Sequence, residues 1–315
     1  MTIPGFGKWV SRMSPRYSRT VPLAAAALMS AFVLGGCAKQ EKPAASAAAP
    51  ANPEEKRYPL TGEIVRADAE RKVLLVTHDE IKGYMPAMTM EFLVSPGDLA
   101  NAKPGQRIRA ELVERKGDYH LEKIWPDDTV TVRALEASAK ALAQDTAMRG
   151  KGVYREVGET APDFTLLDQE GRTVTAARFR GKRVVMNFIF TRCPIATMCP
   201  ASTQKMSALQ QAAKAAGVTD VEFVSVSLDP EYDTPGVLKE YAELRGLDLG
   251  NWSFLTGPDA AVRHLLAQMG IIREFEGATI KHNLATVLID PAGRIIHRVD
   301  GSRWDNQEFL PKMQR

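Results

Sequence analysis

Cysteine is scarce in this chain: three among 315 residues, at positions 37, 193 and 199. So few exclude a disulfide scaffold, which holds a small secreted fold together with many cross-links. Long apolar runs are also missing. Beyond the first forty residues no stretch reaches about eighteen apolar residues, so nothing there reads as a membrane span. No internal repeat is present. A basic excess is absent as well. The formal net charge is +3, but Lys8, Arg12, Arg16 and Arg19 lie in an acid-free segment of 36 residues; +3 less those 4 leaves −1. A nucleic-acid partner is therefore not supported, because the basic patch that neutralises phosphates is not there. With 44% hydrophobic and 25% charged residues, what remains is ordinary globular protein, long enough for about two domains.

The acid-free start leads into an apolar, alanine-rich run from Val21 to Leu34, closed by Leu34-Gly35-Gly36-Cys37. A basic leader, a short apolar core and small residues before a cut describe an export signal. The last four residues resemble the lipobox of bacterial lipoproteins, whose cysteine becomes the lipidated first residue. The expectation is a lipoprotein signal peptide over 1–36, with Cys37 lipidated and the protein on the periplasmic side of a bacterial membrane. The Ala/Pro-rich segment 37–57 buries too little to fold and reads as a disordered tether.

Five runs with period-two alternation follow: Leu60–Ala67, Lys72–His78, Met88–Val94, Arg107–Val113 and Asp118–Ile124. Turn residues separate them, among them Pro96-Gly97 and Lys116-Gly117. Five short strands at this spacing predict a small all-β, five-stranded, OB-like barrel over 58–127. Val130–Met148 carries Val132, Leu135, Ala139 and Leu142 at helical spacing and predicts a linker helix within 128–152.

Three methionines crowd the middle of the barrel, in Tyr84-Met85-Pro86-Ala87-Met88-Thr89-Met90. On a strand Met88 and Met90 point to one face. Thioethers are soft, uncharged ligands that suit Cu(I) or Ag(I) and disfavour zinc, magnesium and calcium. His78, ending the preceding strand, can complete such a set. The plainer reading is that the methionines fill gaps in a core. Together with the Lys-Pro-Gly-Gln-Arg-Ile turn, these residues resemble the CusF-like periplasmic copper-binding domain. That resemblance implies Cu(I) ligands at His78, Met88 and Met90 under an aromatic cap. The capping tryptophan's position holds Met85 here, so the cap is replaced by an additional thioether ligand at Met85 or by the ring of Tyr84.

From about 153 the pattern changes. Arg183–Phe190 is almost continuously apolar, as in a strand buried on both faces. Helices over Pro200–Ala216, Thr234–Arg245 and Asp259–Met269 alternate with strands Val221–Leu228, Leu284–Asp290 and Arg294–Val299. That alternation predicts an α/β domain with a mixed sheet over 153–315. Cys193 and Cys199 stand between the buried strand and a helix start, where backbone N–H groups stabilise a thiolate. Pro200 suits the first helical position and pushes Cys199 out of the helical region, which leaves both cysteines on a loop that folds back. A disulfide and a shared metal both remain open. Five intervening residues disfavour the two-residue spacing of a thiol–disulfide exchange site. His264, in a helix, and His120 and His297, in strands, read as structural.

Several segments here resemble the Sco (SenC-like) family: Phe190-Thr191-Arg192-Cys193-Pro194, Ser225-Val226-Ser227-Leu228-Asp229-Pro230 with Asp233-Thr234-Pro235, and Lys281-His282 before Leu288-Ile289-Asp290-Pro291-Ala292-Gly293. The resemblance implies a thioredoxin-like fold that holds copper, as Cu(I) and Cu(II), at Cys193, Cys199 and His282, with Asp229 as a partner behind the ligands. The family usually has three residues between the cysteines; the longer loop here adds Met198 as a possible fourth ligand. The reading is a membrane-tethered copper metallochaperone whose barrel captures Cu(I) and whose second domain delivers it to a subunit of cytochrome oxidase. Fusion predicts transfer within one chain, at an effective concentration of order mM. Two rivals differ in class. One is a thiol–disulfide reductase using Cys193 and Cys199 as a redox disulfide; the other is a copper buffer for metal tolerance.

Overall fold

The structure, a computed structural model, describes residues 55–314 apart from Ala278. The expected signal peptide, the lipidation site Cys37 and the tether up to residue 54 lie outside the described residues. The first domain is built from β1 (Lys56–Asp68), β2 (Val73–His78), β3 (Met88–Leu93), a short helix α1 (Pro96–Asn101), β4 (Arg107–Arg115) and β5 (Asp118–Pro126). They close into a barrel in the order β1-β2-β3-β5-β4, antiparallel except where β3 runs parallel to β5. Alternation sets its inside: Leu60, Ile64, Leu74, Val76, Phe92, Ile108, Leu112 and Leu121 are buried there, and polar neighbours face out. This is the five-stranded OB-like barrel that the spacing predicts. The helix α1 is new. Pro96-Gly97 read as a turn, but Ser95 Oγ accepts the Asp98 N–H at 3.1 Å and starts a helix with proline in its first turn.

After the barrel, α2 (Thr129–Arg149) leads to the second domain. Its elements are β6 (Thr165–Leu167), β7 (Thr173–Thr175), β8 (Arg183–Ile189), α3 (Cys199–Ala215), β9 (Val221–Ser227), α4 (Pro235–Leu244), β10 (Trp252–Leu255), α5 (Asp259–Gln268), β11 (Arg273–Glu276), β12 (Thr279–His282), β13 (Ala285–Ile289), β14 (Ile295–Asp300) and α6 (Asn306–Met313). The main sheet has the order β10-β9-β8-β13-β14, with β8, β9 and β10 parallel and β13 and β14 antiparallel. That is the mixed sheet of a thioredoxin-like fold. Its centre is apolar, yet Asn187 of β8 is fully buried there. It is satisfied by donating to Ser202 Oγ of α3 (2.9 Å) and accepting from Ser225 Oγ of β9 (2.7 Å), which in turn accepts from Trp252 Nε1 of β10 (3.0 Å). A buried polar group fully paired in this way fixes one alignment of strand and helix instead of costing stability.

All described residues belong to one compact unit. The two domains meet where Ser95-Pro96-Gly97 and Thr234-Pro235-Gly236, each a cap followed by Pro-Gly, open α1 and α4. A Cβ on Gly97 would lie 2.0 Å from the Gly236 carbonyl oxygen, and one on Gly236 would lie 2.1 Å from Asp98 Oδ1. Only glycine allows these helix starts to touch. Asn101 adds the hydrogen bonds: its Nδ2 donates to the Gln169 carbonyl (2.8 Å), and its Oδ1 accepts from Lys239 Nζ (3.2 Å). Trp125 of β5, Leu135 of α2 and Leu167 of β6 form a small apolar cluster alongside. Gly97→Ala should therefore strain the junction by about 1–3 kcal/mol, the usual cost of overpacking. Differential scanning calorimetry of the chain should show its melting temperature lowered by several degrees; an unchanged value would refute the close crossing.

Asp98 sits at this crossing with its carboxyl buried. Burial pushes its pKa up to about 6, and Glu240 and Glu122 add to the rise while the Ser95 hydroxyl opposes it. The folded pKa lies above the ordinary value of 3.8, so folding favours the protonated form. Stability from this group is complete below pH 3.8 and is lost as pH rises through about 6. Asp98→Asn should remove that portion of the pH dependence and leave the variant the more stable at pH 8; urea titrations at pH 4, 6 and 8 measure it.

Candidate metal centres

In the barrel, register brings the expected ligands together. His78 pairs with Met88 and Val76 with Met90 across the β2–β3 ladder. Paired residues share a face, and Leu74, Val76 and Phe92 show that this face is the barrel interior. His78, Met88 and Met90 thus line the inner face at one end of the barrel. His78 is buried, Met90 half-buried and Met88 46% exposed, so the set runs from the core out to water. His78 Nδ1 lies 2.8 Å from the Asp79 carbonyl oxygen, which can only accept. Nδ1 therefore carries the proton and Nε2 offers a lone pair. That Nε2 is buried without a hydrogen-bond partner. An orphaned imidazole nitrogen next to two thioethers fits a soft cation.

Above this set, Met85 bridges to the buried Ile81, exchanging two backbone hydrogen bonds of 3.0 Å. Tyr84 is committed elsewhere. Its ring stacks on Tyr58 with centroids 4.0 Å apart, and its hydroxyl donates to Glu114 at 3.0 Å. Of the two candidates for the missing cap, Met85 is the one with its side chain free of such ties.

The second centre forms where β8 ends. Ligand atoms of Cys193, Cys199 and His282 all lie within 4.8 Å of one another, and Cys199 Sγ is 3.7 Å from His282 Nε2. Both cysteines are free thiols. One expectation needs correcting: Cys199 does not sit on the loop but is the first residue of α3, with Met198 as N-cap and Pro200 second. The restraint that Pro200 places on its predecessor is met at the helix's first position, where the backbone has just turned helical. Met198 contributes no side-chain cap to α3, and Pro200, the second residue of the helix, has no N–H to cap. Cys199 is fully buried. Burial pushes its thiol pKa well above the usual range, with repulsion from Cys193 and Asp233 adding and the Phe190 amide opposing. Desolvation outweighs the helix terminus, and the unloaded site holds a protonated thiol.

His282 ends β12 and pairs across the hairpin with Arg273. Its Nδ1 lies 2.9 Å from the Asn283 carbonyl, which again leaves Nε2 aimed at the sulfurs. Burial holds its pKa below the usual value, which keeps the ring neutral and able to bind. Arg273 fixes the hairpin, donating to the Leu228 carbonyl (3.0 Å) and to Asp259 (2.7 Å). Asn283 donates to the Gly270 carbonyl (2.9 Å) and accepts from the Ile272 amide (2.8 Å).

Asp229, expected behind the ligands, is tied to Arg192, the residue before Cys193. Its buried carboxylate accepts from Arg192 Nε at 2.8 Å, and the guanidinium lies over the Tyr232 ring. Sequence reasoning quoted Asp233 without giving it a task. Its buried carboxyl accepts from the Thr191 amide (3.2 Å), the Thr191 hydroxyl and Ser227 Oγ (2.6 Å). Burial pushes its pKa up to about 7. Two carboxyls four residues apart thus grip the two residues before Cys193. Of the remaining histidines, His297 packs edge-on against Phe309 and joins neither centre.

A thioredoxin-like sheet that presents two thiols and an imidazole at one strand end defines a soft-metal-binding class within that fold. The comparisons make the class specific: the SCO1/SenC family model matches residues 153–315, and the chain belongs to that family. The model of the copper binding periplasmic protein CusF matches residues 57–126. The SCO1 protein homolog of Bacillus subtilis is 34% identical over 159 residues, 49% of this chain and 81% of its own. A SCO1/SenC family lipoprotein of Bacillus anthracis has a crystal structure 27% identical, covering 52% of this chain and 98% of its own, with a TM-score of 0.47. BsSco, described as a Sco-family cytochrome c oxidase assembly protein with a disulfide switch, is 28% identical, covering 52% and 96%, with a TM-score of 0.46.

The donor chemistry separates the centres. Loading the second one displaces thiol protons, whereas thioethers and the bare Nε2 of His78 have none to lose. Above pH 7 Cu(I) affinity at the cysteine centre should rise by about tenfold or more per pH unit, while that of the barrel stays flat. Competition titrations against a Cu(I) chelator at pH 7, 8 and 9, on Met88→Ala/Met90→Ala and Cys193→Ala/Cys199→Ala chains, test this. Equal slopes would show that the assigned donors are wrong.

Proposed function

We propose that this chain is an extracytoplasmic copper metallochaperone. It captures Cu(I) in the barrel at His78, Met88 and Met90, holds copper at Cys193, Cys199 and His282, and delivers it for assembly of the copper centre of cytochrome c oxidase. The observation that carries the reading is the convergence of two thiols and an imidazole within 4.8 Å in the part of the chain that belongs to the SCO1/SenC family. A second soft set in the CusF-matching barrel supports it. Two thiolates and an imidazole hold both Cu(I) and Cu(II), as a carrier that exchanges copper needs. Copper is cargo here, and the protein's own residues set its softness and exposure. Lipidation at Cys37 would anchor the protein to a bacterial membrane, and a cytochrome oxidase subunit would be the recipient. Met85 and Met198 remain candidates for a further thioether.

The test is copper stoichiometry of the reduced protein from residue 54 onward, beside Cys193→Ala/Cys199→Ala and Met88→Ala/Met90→Ala. The parent should bind two equivalents and each double variant one. An undiminished two in the cysteine variant would remove the carrier reading from the second domain. The reductase reading is favoured by one observation, the two free thiols held close enough to close on each other. It needs no imidazole. On that reading His282→Ala should spare thiol–disulfide activity, and an assay of the variant that found the activity lost would remove it.

A further inference from the structure

His282 reaches the two sulfurs from an element that the main sheet does not hold. Strands β11 and β12 pair with each other as a separate two-stranded sheet, whereas the cysteines stand at the end of β8 and the start of α3. An isolated hairpin of this size is marginal in water, so its side chains must fix where it lies. Phe275 and Ile280 pack on the core and hold it down. Apolar contact has no direction, however. The polar anchors supply one, and they gather at the base of the hairpin, where Arg273 stands opposite His282.

The Arg273 side chain is only 8% exposed. Its Nη1 donates to the Leu228 carbonyl at 3.0 Å, its Nη2 donates to Asp259 Oδ1 at 2.7 Å, and its Cζ stands 5.0 Å from the centre of the Phe275 ring. A rigid planar fork shared between a carbonyl and a carboxylate fixes its own orientation. Asp259, the first residue of α5, is the acid that balances this buried cation. Leu228 follows β9, and its amide donates to the Ile189 carbonyl of β8 at 2.7 Å. The next residue, Asp229, grips Arg192 beside Cys193. Thiol and imidazole are thus aligned against the same two neighbours, Leu228 and Asp229.

Loss of the Asp259 charge would leave the Arg273 cation buried and unbalanced, and one of its two anchors would go. The two copper states respond differently. Cu(I) is soft and two thiolates satisfy it; Cu(II) favours tetragonal sets with nitrogen donors and needs the imidazole. On the reading proposed above, we infer that Arg273 and Asp259 are positioning residues for His282 and set which oxidation state of copper the cysteine centre can hold. Neither touches the ion. They keep Nε2 beside the sulfurs, which lets the centre accept Cu(II) as well as Cu(I). With this support cut, the centre becomes a Cu(I) site of two thiolates.

The test starts from the Met88→Ala/Met90→Ala chain, whose barrel lacks its thioethers, and adds Asp259→Asn, which keeps the size of the side chain and removes its charge. Under argon, Cu(II) affinity should fall by about 10–100-fold, the usual loss when a residue behind a ligand is changed. Cu(I) affinity should be kept. The imidazole nitrogen coupling in the electron spin-echo spectrum of the Cu(II) form should be lost. Asp259→Glu restores the carboxylate and should recover both the affinity and the coupling. In the copper-free protein, amide hydrogen exchange over Thr279–His282 should quicken in Asp259→Asn and slow again in Asp259→Glu. Parental Cu(II) affinity and coupling in Asp259→Asn would overturn the inference. So would equal losses of Cu(I) and Cu(II), which mark general damage. If the starting chain binds no copper through Cys193 and Cys199, the metallochaperone reading of this domain fails, and this inference with it.

Discussion

The two imidazoles of the candidate metal centres, His78 and His282, are held by the same restraint: Nδ1–H is given to the carbonyl of the next residue. His78 and His282 each end a strand, where the ladder no longer claims that carbonyl and the ring can turn back on its own backbone. The bond fixes the tautomer, the ring plane and the direction of Nε2 at once. Everything else at the two sites is arranged around that nitrogen. In the barrel, register places two thioethers on its face; in the second domain, a helix start and a strand end bring two thiols to it. Burial keeps His282 below its usual pKa, so the ring is not lost to protonation when a cation approaches.

The two donor sets differ in charge, and on the proposed function that difference would give copper a direction. Thioethers bind Cu(I) without surrendering a proton, so a half-exposed methionine pair loads and unloads readily. Thiolates bind it more tightly, at the cost of deprotonating a thiol that burial holds protonated. The site thus resists holding a bare thiolate but rewards a metal-bound one. Asp229 and Asp233 fix Thr191 and Arg192, and through them the position of Cys193, from the interior side.

Much of this was legible in the sequence because it depends on alternation and softness. Period-two runs located all five barrel strands, and the crowding of Met85, Met88 and Met90 beside a strand-ending histidine pointed to the first candidate site. For the second, family resemblance was needed: nothing in the spacing links His282 to cysteines more than eighty residues away, since the link is made by the hairpin β11–β12 and by Arg273 and Asn283 beneath it. Strand β10 went unread because Trp252–Leu255 is four residues long and follows a turn of helix. The helix α1 went unread because Pro-Gly is as much a turn signal as a helix start, and only the Ser95 cap decides between them. The task of Asp233 was invisible for a related reason: its partners, Thr191 and Ser227, come from two other strand ends.

The longer spacing between the cysteines has a structural answer. Five residues separate Cys193 from Cys199, yet their sulfurs meet within 4.8 Å, so the added length is taken up away from the ligands. It is taken up in solvent: Pro194 to Thr197 are exposed, the Met198 amide donates back to the Ile195 carbonyl at 3.0 Å, and Ser302 donates to the Thr197 carbonyl at 2.8 Å. The loop is tied at its far end by a residue from the connection between β14 and α6. Cys193 is fixed by Arg192 and Thr191 before it, and Cys199 by the helix after it, so the positions of the two sulfurs do not depend on the path between them. What the insertion changes is the surface beside the metal, where Ile195 stands 48% exposed. Loop length therefore acts on what can approach the copper, and the donor geometry is left to the strand end and the helix start.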